Sequence, residues 1–155
     1  MIDDSVVGYV APPFEMPVER GKIIEFAKAL HLRDLAHSDV AVARAEGHTD
    51  VVAPLTFSAT WLHWMTPDPN NPVQVDLRNI VAAGAEWEYM GDIVAGDTLT
   101  VEMSIAGIER KEGRRGPMTI LTREFTFTNQ HGQAVLTMRS NMIEFAPSEE
   151  QDERG

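Results

Sequence analysis

Between His31 and Asp50 the chain gathers three histidines and three aspartates: His31, Asp34, His37, Asp39, His48 and Asp50. His37 is the candidate that matters most, because an imidazole titrates near neutrality without help and can take or give a proton. A metal site is the other chemistry this cluster suggests, but its spacing matches no recognised ligand frame. The chain has no cysteine, so thiolate and disulfide chemistry are out. A second chemical feature is cationic. Lys111, Arg114 and Arg115 surround the glycine-bounded turn EGRRG, a geometry able to grip a phosphate. Asp92 and Asp97 sit in glycine turns, where carboxylates usually bond the local backbone.

The elements that must position these groups follow from periodicity. Residues 14–18 read as a short edge strand, since Pro17 forbids a central one. Residues 19–30 place Ile23, Phe26, Ala27 and Leu30 on one helical face. HLRDLAHSD is then a polar loop, and Ser38 or Asp39 can cap a short alanine-rich helix that Gly47 stops. The most apolar run of the chain follows, VVAPLTFSATWLHWM. In it Phe57, Trp61 and Met65 recur at i, i+4, i+8, and Leu55, Ala59 and Leu62 at i, i+4, i+7. A helix apolar over most of its circumference has to be wrapped. Beyond the proline-rich turn TPDPNNP the chain becomes β-rich. Strands are expected at 73–77, 85–90, 98–105, 118–128 and 133–145, the third alternating cleanly and the last two only partly. Helices first and strands after is an α+β order. A curled antiparallel sheet around one long central helix, the hotdog arrangement, satisfies both periodicities.

Composition bounds the rest. With 155 residues, 43% apolar and 24% charged, one domain over residues 1–145 with an acidic, solvated tail at 146–155 is the expected organisation. A net charge of −11 argues against general nucleic-acid binding and against anionic membrane surfaces. No run approaches the length of a membrane helix, and the acidic N-terminus lacks the basic start of a secretory signal. A cytoplasmic location is expected.

Four stretches, VERGKIIEFAKAL, DVVAPLTF, GAEWEYMGDIVAGDTLT and GPMTILTREFTFTNQHGQ, occur in that order across nearly the whole chain. Together they resemble the N-terminal MaoC-like dehydratase family, which includes subunits of mycobacterial hydroxyacyl-thioester dehydratases. The resemblance implies hotdog folds paired side by side, with an acyl-thioester site at the interface. It implies no cofactor, since CoA or a carrier protein enters as part of the substrate. Related R-specific hydratases carry GDxNPxH before the central helix, where the Asp and His activate water for addition to an enoyl thioester.

HLRDLAH follows that pattern in part. His37 falls on the histidine position, Leu32 on the aspartate, Asp34 on the asparagine and Leu35 on the proline. Leucine neither holds a water nor passes a proton. Where hydratases have His-Gly this chain has Pro54-Leu55, while Ser58 matches a later hydroxyl. The resemblance therefore implies a hydratase or dehydratase subunit that binds acyl chains through Leu55, Thr56, Phe57, Trp61, Arg114 and Arg115. Its dimer partner would be a second hotdog subunit with an intact Asp/His pair. Two alternatives stay open: a self-sufficient homodimer using His37 with Asp34 or Ser58, and a non-enzymatic acyl-thioester-binding module. Core packing competes with a tunnel wall as the role of Phe57, Trp61, Trp64 and Met65.

Overall fold

Alternation decides the sheet. In the computed structural model, which describes residues 1–114 and 116–146, five antiparallel strands lie in the order β1-β3-β4-β5-β2. They are β1 (Phe14–Pro17), β2 (Ile80–Tyr89), β3 (Thr98–Gly113), β4 (Gly116–Thr128) and β5 (Ala134–Phe145). Leu99, Val101, Met103 and Ile105 of β3 turn inward and are buried, as their period of two requires. On β4 Thr119, Leu121, Phe125 and Phe127 do the same, and on β5 Leu136, Met138 and Met142. Most outward residues of these two strands are half-buried as well, and Val135 is buried beside Leu136, so their alternation is partial.

Helix α1 (Arg20–Ala29) lays Ile23 and Ala27 onto this core, and helix α2 (Val40–Ala45) is capped by Asp39, whose Oδ1 accepts from the Ala41 and Val42 amides. The α+β hotdog class stands, with one correction at its centre. The run 54–65 forms no long helix but a seven-residue 3-10 helix, Phe57–His63. Pro54 and a left-handed Thr56 at φ 71° delay its start, and Thr60 Oγ1 bonds back to the Phe57 carbonyl at 2.8 Å. With three residues per turn only one stripe can face the sheet. Phe57 meets Phe26 edge-on at 5.5 Å, and Trp61 packs on Phe125 at 4.6 Å. The other expected stripe is outside: Leu55 is 70% and Leu62 61% exposed.

The segment 66–79 also departs from expectation, because no strand forms at 73–77. Side chains there capture the backbone: Asp68 accepts from the Asn70 amide, Asn71 from Val73, and Asp76 from Arg78. β2 consequently begins at Ile80, five residues earlier than the aromatic pattern indicated. Tyr9 donates its phenol to Asp68 and ties this segment to the N-terminal lead. The hydrogen bond pushes Tyr9 up to about 12 and holds Asp68 below the usual carboxylate value. Of the expected tail, residues 147–155 lie outside the described residues. No described helix is long and apolar enough to cross a membrane.

Two outcomes are expected. Phe57→Ala should lower unfolding free energy by about 3–5 kcal/mol in urea denaturation, while Leu55→Ala should stay within about 0.5 kcal/mol. Tyr9→Phe should speed amide exchange in residues 66–79 relative to the wild type at neutral pH. Asp68 is depressed in the folded state, so its contribution is present above the unfolded carboxylate value and lost as pH falls through the folded one. The exchange ratio should therefore shrink on acidification.

Candidate functional site

His37 ends the short 3-10 turn Leu35–His37, whose first residue is preceded by Asp34. Asp34 Oδ1 accepts from the Ala36 amide at 2.9 Å, which fixes the turn. Ala36 is buried, and its carbonyl accepts from the Val52 amide at 3.1 Å. The chain then crosses under the imidazole: His37 Nδ1 lies 2.8 Å from the Val52 carbonyl. A carbonyl only accepts, so Nδ1 carries the proton and Nε2 of the neutral ring presents its lone pair. The 51–53 segment that supports this contact is itself held by 93–95, through Ala53 N to Ile93 O at 2.8 Å and Ala95 N to Val51 O at 3.0 Å. The loop that follows the hydratase pattern in part is therefore anchored through backbone hydrogen bonds.

His37 and Asp34 line one cleft of about 510 Å³, together with Pro54, Leu55, Tyr89 and Asp92. Leu32, 42% exposed, lies outside that lining, and its amide donates to Ala27 O beyond the end of α1. The cleft offers a proton-accepting nitrogen and carboxylates on its rim. Leu32, a hydrocarbon outside the lining, brings no acid to this cleft.

The remaining candidates separate. Thr56 donates its amide to the Tyr89 hydroxyl at 3.0 Å, at the cleft edge. Ser58 is 1% exposed, and its hydroxyl accepts from Trp87 Nε1 at 3.0 Å rather than facing His37. Phe57 belongs to the core and also floors a second groove, about 560 Å³, between α1 and the 57–63 helix with Phe26 and Trp64. Trp61 is held between Phe14 and Phe125. Arg114 is exposed at the β3–β4 tip, far along the sheet, and Arg115 lies outside the described residues.

Sequence reasoning missed two participants. Tyr89 reaches the cleft from the end of β2. Asp92, expected to bond its own turn as Asp97 does to the Val94 amide, instead holds His48 Nδ1 at 2.8 Å across 44 residues of sequence. No local pattern signals a pair so far apart. Where the chain enters the 51–53 segment, Arg20 binds Asp50 at 2.6 Å and holds that carboxyl below its usual range. Among the described residues, no three or more His, Cys, Asp or Glu gather to hold a metal ion.

Known proteins share this architecture. Residues 5–138 match the profile of the FAS1-like, dehydratase domain region. A UPF0336 protein of Streptomyces coelicolor is 32% identical over 153 residues, spanning 96% of this chain and 98% of that relative. Among solved structures, a MaoC-like dehydratase superposes with a TM-score of 0.77 at 26% identity. The match covers 92% of this chain but only 43% of that one, so the chain spans less than half of its length. A subunit of the HadBC (3R)-hydroxyacyl-ACP dehydratase complex from Mycobacterium tuberculosis gives a TM-score of 0.73 at 24% identity, covering 92% and 99% of the two chains. That likeness shows the fold.

Because the Ser58 hydroxyl satisfies a half-buried indole, Ser58→Ala should destabilise the chain by about 1–3 kcal/mol. Thermal unfolding of Ser58→Ala against Ser58→Thr, which keeps the acceptor, checks this.

Proposed function

The chain belongs to the FAS1-like dehydratase domain region family, and on that premise we propose that it is a subunit of an enoyl-thioester hydratase or (3R)-hydroxyacyl-thioester dehydratase. It contributes fold, interface and acyl-binding surface to CoA- or carrier-bound substrates, and a second hotdog subunit with an intact Asp/His pair contributes the chemistry. The observation that carries this reading is the state of His37. Its Nδ1 is bound to a carbonyl, Leu32 stands at the position of the acid in the hydratase pattern, and the loop carboxylate that shares its cleft, Asp34, is engaged by the Ala36 amide. Addition of water to an enoyl thioester needs one group to deprotonate water and another to protonate the α-carbon. A single imidazole without its acid supplies half of that.

Two features support a partner. β2 is an edge of the sheet with Val81 and Tyr89 exposed on it, an arrangement natural proteins usually cover. Leu55, Leu62 and Leu77 add exposed apolar surface outside the strands. The HadBC structure is itself a complex of dehydratase subunits. In this reading Leu55, Thr56 and Phe57 border the acyl path with Trp61 behind them, and Arg114 and Arg115 meet a phosphate of CoA or of a carrier's prosthetic arm.

Asp34 and His37 share one cleft, and this favours a second reading, a homodimer that hydrates without help. Loss of enoyl-thioester absorbance separates the two. The purified chain alone should show only the uncatalysed rate and gain turnover when co-expressed with a hotdog protein carrying the intact pair. In that complex, His37→Ala here should fall well short of the ~10²–10⁴-fold loss that removal of a catalytic acid–base group causes. Turnover by the chain alone, abolished by His37→Ala, would establish the homodimer instead. Acyl-CoA binding without turnover in either setting would make the chain a binding module.

A further inference from the structure

The concave row of β4 has one member of the wrong kind. Between Leu121 and Phe125, both buried, stands Arg123. Its guanidinium carbon lies 5.8 Å from the ring centroids of both Trp61 and Phe125, and Nη2 donates to Ser140 Oγ at 3.0 Å. Nε is buried and has no hydrogen-bond partner. None of the ion pairs among the described residues includes Arg123. Burial pulls this guanidinium down from its ordinary value with no carboxylate to offset the effect. Two aromatic faces and one hydroxyl satisfy part of a group with five donors. A cation taken out of water without a counter-ion is unfavourable, and native structures rarely keep one for packing alone.

The neighbours give a direction of approach. Ser140 on β5 is opposite Arg123, and Ala85 on β2 is opposite Ser140. These three are half-buried, while Leu121, Phe125, Met138 and Met142 around them are buried. Between the guanidinium and the β2 edge the register thus places only the small residues Ser140 and Ala85. Two strand spacings, about 10 Å, separate β4 from that edge. An acidic side chain on a neighbouring subunit is too short to cross them, whereas a flexible chain bearing an acid at its end is not.

We propose that Arg123 is a recognition point for a carboxylate at the far end of an acyl chain, so that the thioesters this protein accommodates carry a second acidic group. The assignment rests on the acyl-thioester reading given above. The unpaired Nε–H, an adjacent Nη–H and the Ser140 hydroxyl are the donors a carboxylate requires, and the two rings hold the guanidinium in place. An alkyl end of the same length would leave the buried cation unmatched, which is how polar sites discriminate.

Calorimetry on the full chain, adding adipoyl-, suberoyl- and sebacoyl-CoA beside hexanoyl-, octanoyl- and decanoyl-CoA, tests this. At one chain length or more, the ω-carboxyl thioester should bind at least about tenfold more tightly than its alkyl counterpart. Arg123→Met should abolish the preference by weakening ω-carboxyl binding, and should not weaken alkyl binding. Equal affinities at every length, or a preference that survives Arg123→Met, overturn the proposal. A purely structural Arg123 would move the melting temperature but not the ratio. If Arg123→Met does not fold, the Nε–Hε resonance of Arg123, identified by its loss in Arg123→Lys, replaces it. Sebacate should shift that resonance and decanol should not; no shift with sebacate overturns the proposal. Absence of binding by every thioester would instead remove the acyl-thioester reading, and the sebacate titration would still decide for or against the carboxylate site.

Discussion

The contact between Trp61 and Phe125 is the constraint on which this fold depends. A five-stranded sheet with an apolar concave face needs a cover, and the chain supplies only a short one. Phe57 and Trp61 therefore carry most of the closure: Phe57 reaches α1 through Phe26, and Trp61 reaches β1 through Phe14 and β4 through Phe125. Aromatic side chains suit this task because each buries a large area from a single backbone position. What a long helix would cover by length is covered here by ring size.

That economy has consequences at both ends of the segment. On its N-terminal side the segment passes His37 at Val52 and then turns, with Thr56 left-handed and the Phe57 amide bonded to the Pro54 carbonyl, before the helix begins. The Val52 carbonyl is then placed to fix the imidazole tautomer, so the site and the core share one stretch of chain. On the outer side, Leu55, Ala59 and Leu62 are left exposed among the described residues. Apolar exposure beside an open sheet edge is what natural proteins usually cover, and Leu55 also lines the cleft that holds His37.

Much of the architecture was legible in residue order. The strict alternation of residues 98–105 and the Asp39 cap follow from local rules and appear as expected, and so does the α1 face except for Leu30, which lies past the helix end and is exposed. The hairpin between β3 and β4 closes at its glycines, Gly113 opposite Gly116. What was not legible depended on competition. Apolar periodicity in 54–65 fits an α-helix, but it does not register the left-handed Thr56, the hydroxyl of Thr60, or which stripe has a partner. The strand expected at 73–77 lost to the side-chain acceptors of Asp68, Asn71 and Asp76, whose effect on backbone conformation is stronger than the β-propensity of two valines.

The candidate site divides the same way. The sequence by itself determined that His37 follows the hydratase pattern, that Leu32 does not, and that no cysteine takes part, because these are matters of residue type and spacing. Only the tertiary structure decided that Ser58 serves Trp87, that Asp92 holds His48, and that Arg123 is enclosed by rings without a counter-ion. These contacts join residues 17 to 62 positions apart. The physical reason is that burial and pairing belong to the packed chain. A residue's chemistry is written locally, but whether its charge or hydroxyl is satisfied depends on which distant strand the fold lays against it.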